Sequence, residues 1–448
     1  MGCVRFVAVQ LSYLSFLSAC GTQLFPGLTY FVDPHSACLT VIGVVWGVVA
    51  FFLGVVFNWV GMKPITFGGA MAMAVGGTMI YLGETKSNVV MQVVGGAVTG
   101  LGAASIQTCL GIAALWYPQP ARRGHVCGLI NLMSGLVRVV LSGIAMLLNG
   151  KNGLALTTAN VITCFMLLAL TGCSELFLLD VPDKVIRYDY SNVPYESTAV
   201  TSGSFVRVFT SLQVDFFVLP LWVATGMTLR FAYFVTRYMM TPRASACVDA
   251  MLAVGIAAGG GAFMSFMDAP RWSPRKRGQV GFMLLAAAAA MAAVVCFAPH
   301  FSSCGLLWYM HLSTDTSIAG ETTTSPLDNC YIDITNPAFL KFTLTAPFCG
   351  FAMGLVISYT LWILSFFMKD DKRMWGHCGG HLSSAMGFGF LLCQVLQLHM
   401  TDQTTMYIIT AVMSVGCCLL PIGFKKLSKS KDRNVDIELE HSQTKTTV

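Results

Sequence analysis

Runs of apolar residues, each about 20 long, recur twelve times along this chain with short polar breaks between them. A hydrocarbon core about 30 Å thick is crossed by about 20 apolar residues in helical form. In lipid every backbone N–H and C=O must be satisfied within its own segment, so the runs read as helices. They fall near 4–26, 36–59, 64–83, 88–116, 125–148, 153–179, 210–237, 245–268, 278–297, 338–367, 375–399 and 402–424. A polar linker, 180–209, rich in Asp, Pro, Ser, Thr and Tyr, separates the sixth run from the seventh and has the composition of a flexible connector. The pattern predicts an all-α membrane protein of about twelve transmembrane helices in two six-helix lobes, 1–179 and 210–424, with a polar tail at 425–448.

Composition agrees: 55% of residues are hydrophobic and 11% charged, against about 25% charged in a soluble domain. The distribution of Lys and Arg sets an orientation. Arg5, Lys63, Arg122, Arg123, Lys184, Arg187, Arg207, Arg271, Arg275, Lys276, Arg277, Lys369, Lys372, Arg373 and the basic residues of the tail fall on one side. The other side has Lys86, Lys151, Arg237, Arg243 and Lys341. Both termini and the linker are therefore expected in the cytoplasm, and the long loop 298–337 on the opposite side. Arg5 followed by a long apolar run reads as the start of a first span rather than a leader to be removed. The net charge of +6 is a topology signal. Because the basic residues are scattered over many loops, nucleic acid is a poor partner, whereas membrane lipid is an obligatory one.

The sixteen cysteines do not form a disulfide framework, since most lie inside apolar runs, where Cys acts as a small hydrophobe. Cys304 and Cys330 share the 298–337 loop, and a disulfide between them could form if that side is oxidising. No zinc-type Cys/His spacing, Gly-rich phosphate loop with Lys, His-Glu-x-x-His or Gly-x-Ser-x-Gly motif is present, so neither an enzyme nor a metal or other cofactor is expected. Gly96 and Gly100, and Gly255 and Gly259, stand four apart, the spacing that lets helix backbones approach closely.

The breaks after the second and eighth runs echo one another. The first holds Asn58, Gly61, Lys63 and Pro64; the second holds Asp268, Pro270, Arg271, Arg275, Lys276, Arg277 and Gly278. Both resemble the signature loop of the major facilitator superfamily, in which an acid and bases flank a Gly-containing turn. That resemblance implies a gating role for Lys63, Asp268, Arg271 and Arg275, latching the lobes on the cytoplasmic side. Asn58-Trp59-Val60-Gly61-Met62-Lys63-Pro64, Gly96-Ala97-Val98-Thr99-Gly100-Leu101-Gly102-Ala103, Trp116-Tyr117-Pro118, Arg123-Gly124 and Pro182-Asp183-Lys184-Val185-Ile186-Arg187-Tyr188-Asp189 are similar to the Unc-93-like branch of that superfamily, in its fungal and protist members. Leu110-Gly111 and Leu129-Ile130 depart from the branch's pattern, which separates substrate from fold. The resemblance implies one of two functions. One is a secondary transporter working by alternating access. The other is a non-transporting auxiliary protein that regulates or traffics a membrane-protein partner.

Polar groups on helices expected to line a central cavity are Gln23, Gln107, Arg230 and Tyr359; with Arg138 they would suit a small anionic or zwitterionic solute. Arg138 stands about 13 residues into its run, roughly 20 Å deep, with no acid nearby in the same helix. Asp249 is expected to neutralise Arg230 or Arg243. Asp215, Glu175 and Asp249 all read as lying towards helix ends, so a mid-depth carboxylate for proton coupling is missing from the pattern.

Overall fold

Each apolar run folds as a helix. The structure, a computed structural model, describes residues 5–29, 36–119, 122–148, 157–188, 190–193, 217–267, 274–297, 334–335, 337–367, 372–400, 404–405 and 407–420. Among these are twelve α-helices. The first six are α1 Val7–Thr29, α2 Ala37–Val60, α3 Met62–Thr85, α4 Val89–Trp116, α5 Arg123–Leu148 and α6 Thr157–Leu178. Then follow α7 Leu219–Met239, α8 Pro242–Met267, α9 Pro274–Phe297, α10 Pro337–Phe367, α11 Lys372–His399 and α12 Tyr407–Leu420. Seven of them, α2 to α5, α8, α10 and α11, carry a described stretch long and apolar enough to cross a membrane. Outward faces are apolar too: Phe52 of α2, Val140 and Leu147 of α5, Met166 and Phe177 of α6 and Met283 of α9 are all exposed. Apolar surface on the outside as well as the inside is the mark of an integral membrane bundle.

Local chemistry explains several helix ends. The Ser36 hydroxyl accepts from the Cys38 N–H at 3.2 Å and starts α2, and the Asn88 side chain accepts from the Met91 N–H at 3.0 Å and starts α4. Pro242, Pro274 and Pro337 open α8, α9 and α10, where a missing N–H costs nothing. Gly61 turns α2 into α3 at φ +86°, a backbone conformation that glycine adopts freely, and its N–H donates to the Phe57 carbonyl at 2.9 Å.

The linker departs from the expectation of a flexible connector over residues 180–193. Val185 and Val193 are fully buried. The Ile186 N–H donates to Arg5 O, the Val7 N–H to Ile186 O and the Val193 N–H to Val185 O, at 2.8, 2.9 and 3.0 Å. Arg187 donates through Nε to Tyr117 O and through Nη2 to Trp116 O, at 3.1 and 3.2 Å, satisfying carbonyls that the end of α4 leaves open. Arg122 lies over the Tyr188 ring, and the His125 ring meets it edge-on. Burial pushes the Tyr188 phenol above its ordinary value and Arg122 opposes that shift. The segment clasps the ends of α1, α4, α5 and α6 together. Composition missed it because its buried apolar residues, Val185 and Val193, are dispersed among polar ones.

This clasp marks one end of the bundle, called here the linker end; the other is the far end. Inside the first half α2 packs on α4 across Gly96 and Gly100, where a Cβ would sit 2.8 Å from Cys38 O and 2.7 Å from Ile42 O. Inside the second half α8 packs on α10 across Gly255 and Gly259, and Gly350 faces back towards Leu252. The spacing of small residues in the sequence therefore marks real helix crossings.

Candidate functional site

Two long seams join the first six helices to the last six: α5 runs along α8, and α2 along α11. Each seam brings backbone against backbone. At the linker end of the first, a Cβ on Gly128 would lie 2.5 Å from Gly260 O, and one on Gly260 would lie 2.6 Å from Gly128 O. In the second seam Gly54 abuts the Gly376 carbonyl, and Gly47 faces the Phe388 ring. The linker end is closed further by Gly111 of α4 against Gly379 of α11. It is also closed by Asn131 of α5, which donates to Ser358 Oγ of α10 at 2.8 Å.

The first seam contains a buried ion pair. Arg138 Nη2 of α5 lies 2.7 Å from Asp249 Oδ1 of α8, with side-chain exposures of 4% and 9%. The Ser142 hydroxyl, one turn further along α5, donates to Asp249 Oδ2. Asp249 sits seven residues into α8, about 10 Å along its axis, and Arg138 ten residues before the end of α5, about 15 Å in, so the pair occupies the far half. This corrects the sequence expectation for Asp249, whose cation is Arg138 and not Arg230 or Arg243. Counting from helix ends could not reveal it, because the partner belongs to the other half of the chain. The second seam is made of aromatic rings and hydroxyl groups among the described residues. Trp46 Nε1 donates to Ser383 Oγ at 3.1 Å, Ser384 Oγ donates to Gly47 O at 2.7 Å, and the Phe51 and His381 rings stack at 5.0 Å.

The remaining residues singled out in the sequence have separate partners. Gln107 Nε2 donates to Ser18 Oγ at 2.9 Å, tying α4 to α1. Arg230 is almost fully buried on α7; its Nε donates to Gln394 Oε1 at 2.7 Å, and its guanidinium stands 5.8 Å from the Phe390 ring centroid. Phe390 in turn neighbours Trp46 of the first half at 6.2 Å. Tyr359, expected to line a cavity, instead packs within the second half. It is 2% exposed, donates to Gly278 O at 2.7 Å and stacks on Trp362. Lys63 donates to Leu176 O of α6 at 3.2 Å, a contact inside the first half, where a cation suits a helix C-terminus. Arg277 does the same for Met267 O at 2.9 Å in the second half. Asp268, Arg271, Cys304 and Cys330 lie outside the described residues, as do the side chains of Gln23 and Arg275. Among the described residues no three His, Cys, Asp or Glu side chains gather as a metal site.

Sequence reasoning missed Asn131, Ser358, Trp46 and Ser383, whose polar groups are ordinary in any apolar run until the fold pairs them across the halves.

No protein-family model and no curated protein sequence matches the chain. Solved structures do. A major facilitator superfamily transporter, FucP, in the outward conformation, superposes with a TM-score of 0.56 at 12% identity, covering 93% of this chain and 98% of that one. An asparagine-to-alanine variant of the E. coli fucose:proton symporter FucP gives the same TM-score and coverage at 13% identity. The likeness is one of fold: twelve helices in the arrangement of the major facilitator superfamily.

Proposed function

We propose that the chain is a secondary transporter that moves a small anionic or zwitterionic solute by alternating access, its halves rocking about the α2–α11 and α5–α8 seams. The carrying observation is the Arg138–Asp249 pair, a charged contact buried between the two halves that the linker joins. Replacing a buried pair by apolar residues is often neutral or stabilising. A pair in this place therefore suits a contact that must part and re-form better than one that only stabilises. Arg138 and Arg230 are the solute-binding cations in this reading, with Gln23 and Gln107 as neutral contacts. Asp268, Arg271 and Arg275 latch the linker end. The Lys/Arg asymmetry makes the linker end cytoplasmic, and the motifs around Gly61, Gly96 and Pro182 favour the Unc-93-like branch.

The test is uptake into proteoliposomes of radiolabelled lactate, glutamate, glycine and inorganic phosphate. At least one should enter with the unmodified protein. Arg138→Lys keeps the charge but loses the planar fork that grips a carboxylate or phosphate, so its uptake should fall about tenfold or more. Wild-type rates in both Arg138→Lys and Arg138→Gln would remove Arg138 from the site. No uptake at all, with a membrane protein co-purifying, would favour the auxiliary role.

A further inference from the structure

We infer that Gln397, near the far end of α11, is the recognition site for a carboxamide on the solute, so that the compound carried has both a carboxylate and a primary amide. The inference rests on the transporter reading, in which Arg230 takes the anionic group, and it narrows the class of solute.

Gln397 is 8% exposed, while its neighbours Leu398 and Met400 are exposed, so its amide is directed into the bundle. Its Nε2 and its Oε1 are both buried, and among the described residues neither has a hydrogen-bond partner. A buried donor or acceptor left so forfeits the hydrogen bonds that water gave it in the unfolded chain, and folded proteins seldom tolerate the loss. In a carrier the missing partner can be the cargo. The two atoms say what that cargo presents. A carboxylate only accepts, so it would satisfy Nε2 and leave Oε1 unpaired. An ammonium only donates, so it would satisfy Oε1 and leave Nε2 unpaired. A second amide satisfies both at once, its carbonyl accepting from Nε2 and its N–H donating to Oε1 in one plane.

The neighbouring cation sets the rest of the molecule. Gln394 and Gln397 stand three apart on α11, which puts their Cβ atoms about 5–6 Å from one another on one side of the helix. Gln394 is fully buried, and its Oε1 receives Arg230 Nε of α7 at 2.7 Å. A carboxylate on that guanidinium and an amide on Gln397 therefore belong to one short molecule, with about two carbons between the two groups. Gln397 stands two residues before the end of α11, about 3 Å along its axis, and Gln394 about 7 Å. The solute is thus held with its carboxylate inward and its amide towards the far mouth.

The probe is succinamate, and its control is 4-methylpentanoate, in which two methyl groups replace the amide oxygen and nitrogen. Binding of each to the full chain in lipid nanodiscs is read by equilibrium dialysis of the radiolabelled compound. The unmodified protein should hold succinamate about tenfold more tightly or better, the worth of two hydrogen bonds. Gln397→Met keeps the length of the side chain without its amide, so it should bind the two compounds equally. It should also unfold at the same temperature as the unmodified protein or higher when empty. Equal affinities in the unmodified protein, or no binding of either compound, would overturn the assignment. So would a preference for succinamate that survives in Gln397→Met. A marked loss of stability in that variant, or its failure to fold, would mean that the amide is already paired within the bundle, and overturns it as well. Uptake into proteoliposomes keeps the two readings apart. Succinamate bound through Gln397 but never taken up would remove the transporter and leave a binding site. Uptake of lactate or glutamate with no preference for succinamate would remove the site and leave the transporter.

Discussion

Arg138→Met destabilises the bundle by about 3–5 kcal/mol, because it leaves the Asp249 carboxylate buried and opposite a methyl thioether. The Ser142 hydroxyl still donates to it, but a neutral donor does not replace a guanidinium. Asp249→Leu, which strands the guanidinium instead, has an effect of the same order. Combining Arg138→Met with Asp249→Leu removes both charges from the seam and brings stability back to within about 1–2 kcal/mol of the unmodified protein. The four proteins are compared by the midpoint of unfolding in a mixed-micelle denaturant titration. Additive losses in the double variant would mean that the two side chains stabilise independently and that the seam holds no coupled pair. The ion pair is thus a poor stabiliser against a hydrophobic alternative, yet costly to break from one side. This combination suits a switch between states more than a permanent bond.

Gly54→Ala or Gly128→Ala holds the linker end open. A Cβ on Gly128 meets Gly260 O at 2.5 Å and the Met264 N–H nitrogen at 2.6 Å, and one on Gly54 meets the Gly376 carbonyl. These neighbours are backbone atoms of the opposite half, so no side chain can rotate aside; the helices must part. Overpacking of this kind costs about 1–3 kcal/mol, which shifts a two-state equilibrium by roughly 5- to 150-fold. Cys378 is fully buried beside the Gly54 crossing. With the other cysteines replaced, its labelling by a hydrophilic maleimide should rise by that factor in Gly54→Ala. Each half keeps its own packing, since α4 still meets α2 through Gly96 and Gly100. Unchanged protection of Cys378 in a folded Gly54→Ala variant would show that the seam does not close the linker end.

The helices were legible in the sequence and their contacts only in part. Membrane helices announce themselves because lipid demands an uninterrupted apolar run, and α4, expected over 88–116 and found at Val89–Trp116, shows how closely the run tracks the helix. The Gly96/Gly100 and Gly255/Gly259 pairs also read correctly, since small residues four apart share one helix face. The site did not read so well. Arg138 could be seen as deep, but its acid comes from a helix 111 residues later, and no local pattern encodes which of several distant carboxylates will face it. Tyr359 shows the same limit from the other side. Its place on the tenth helix suggested a cavity, while the turn of that helix directs the hydroxyl to Gly278 O. The clasp at 180–193 was hidden because its backbone bonds to Arg5 and Val7, and the Arg187 bonds to the Tyr117 and Trp116 carbonyls, join segments far apart in the chain, which no local pattern encodes.

Alternating access is tested most directly by measuring both ends of the bundle in the same protein. Spin labels at Leu147 and Arg243 read the far end, and labels at the exposed residues Trp59 of α2 and Lys276 of α9 read the linker end. Gly54→Ala should lengthen the linker-end distance and keep the far end short. Arg138→Gln/Asp249→Asn should lengthen the far end and keep the linker end short. Long distances at both ends in one population, or no change at either end in both variants, would contradict a transporter that rocks about these two seams.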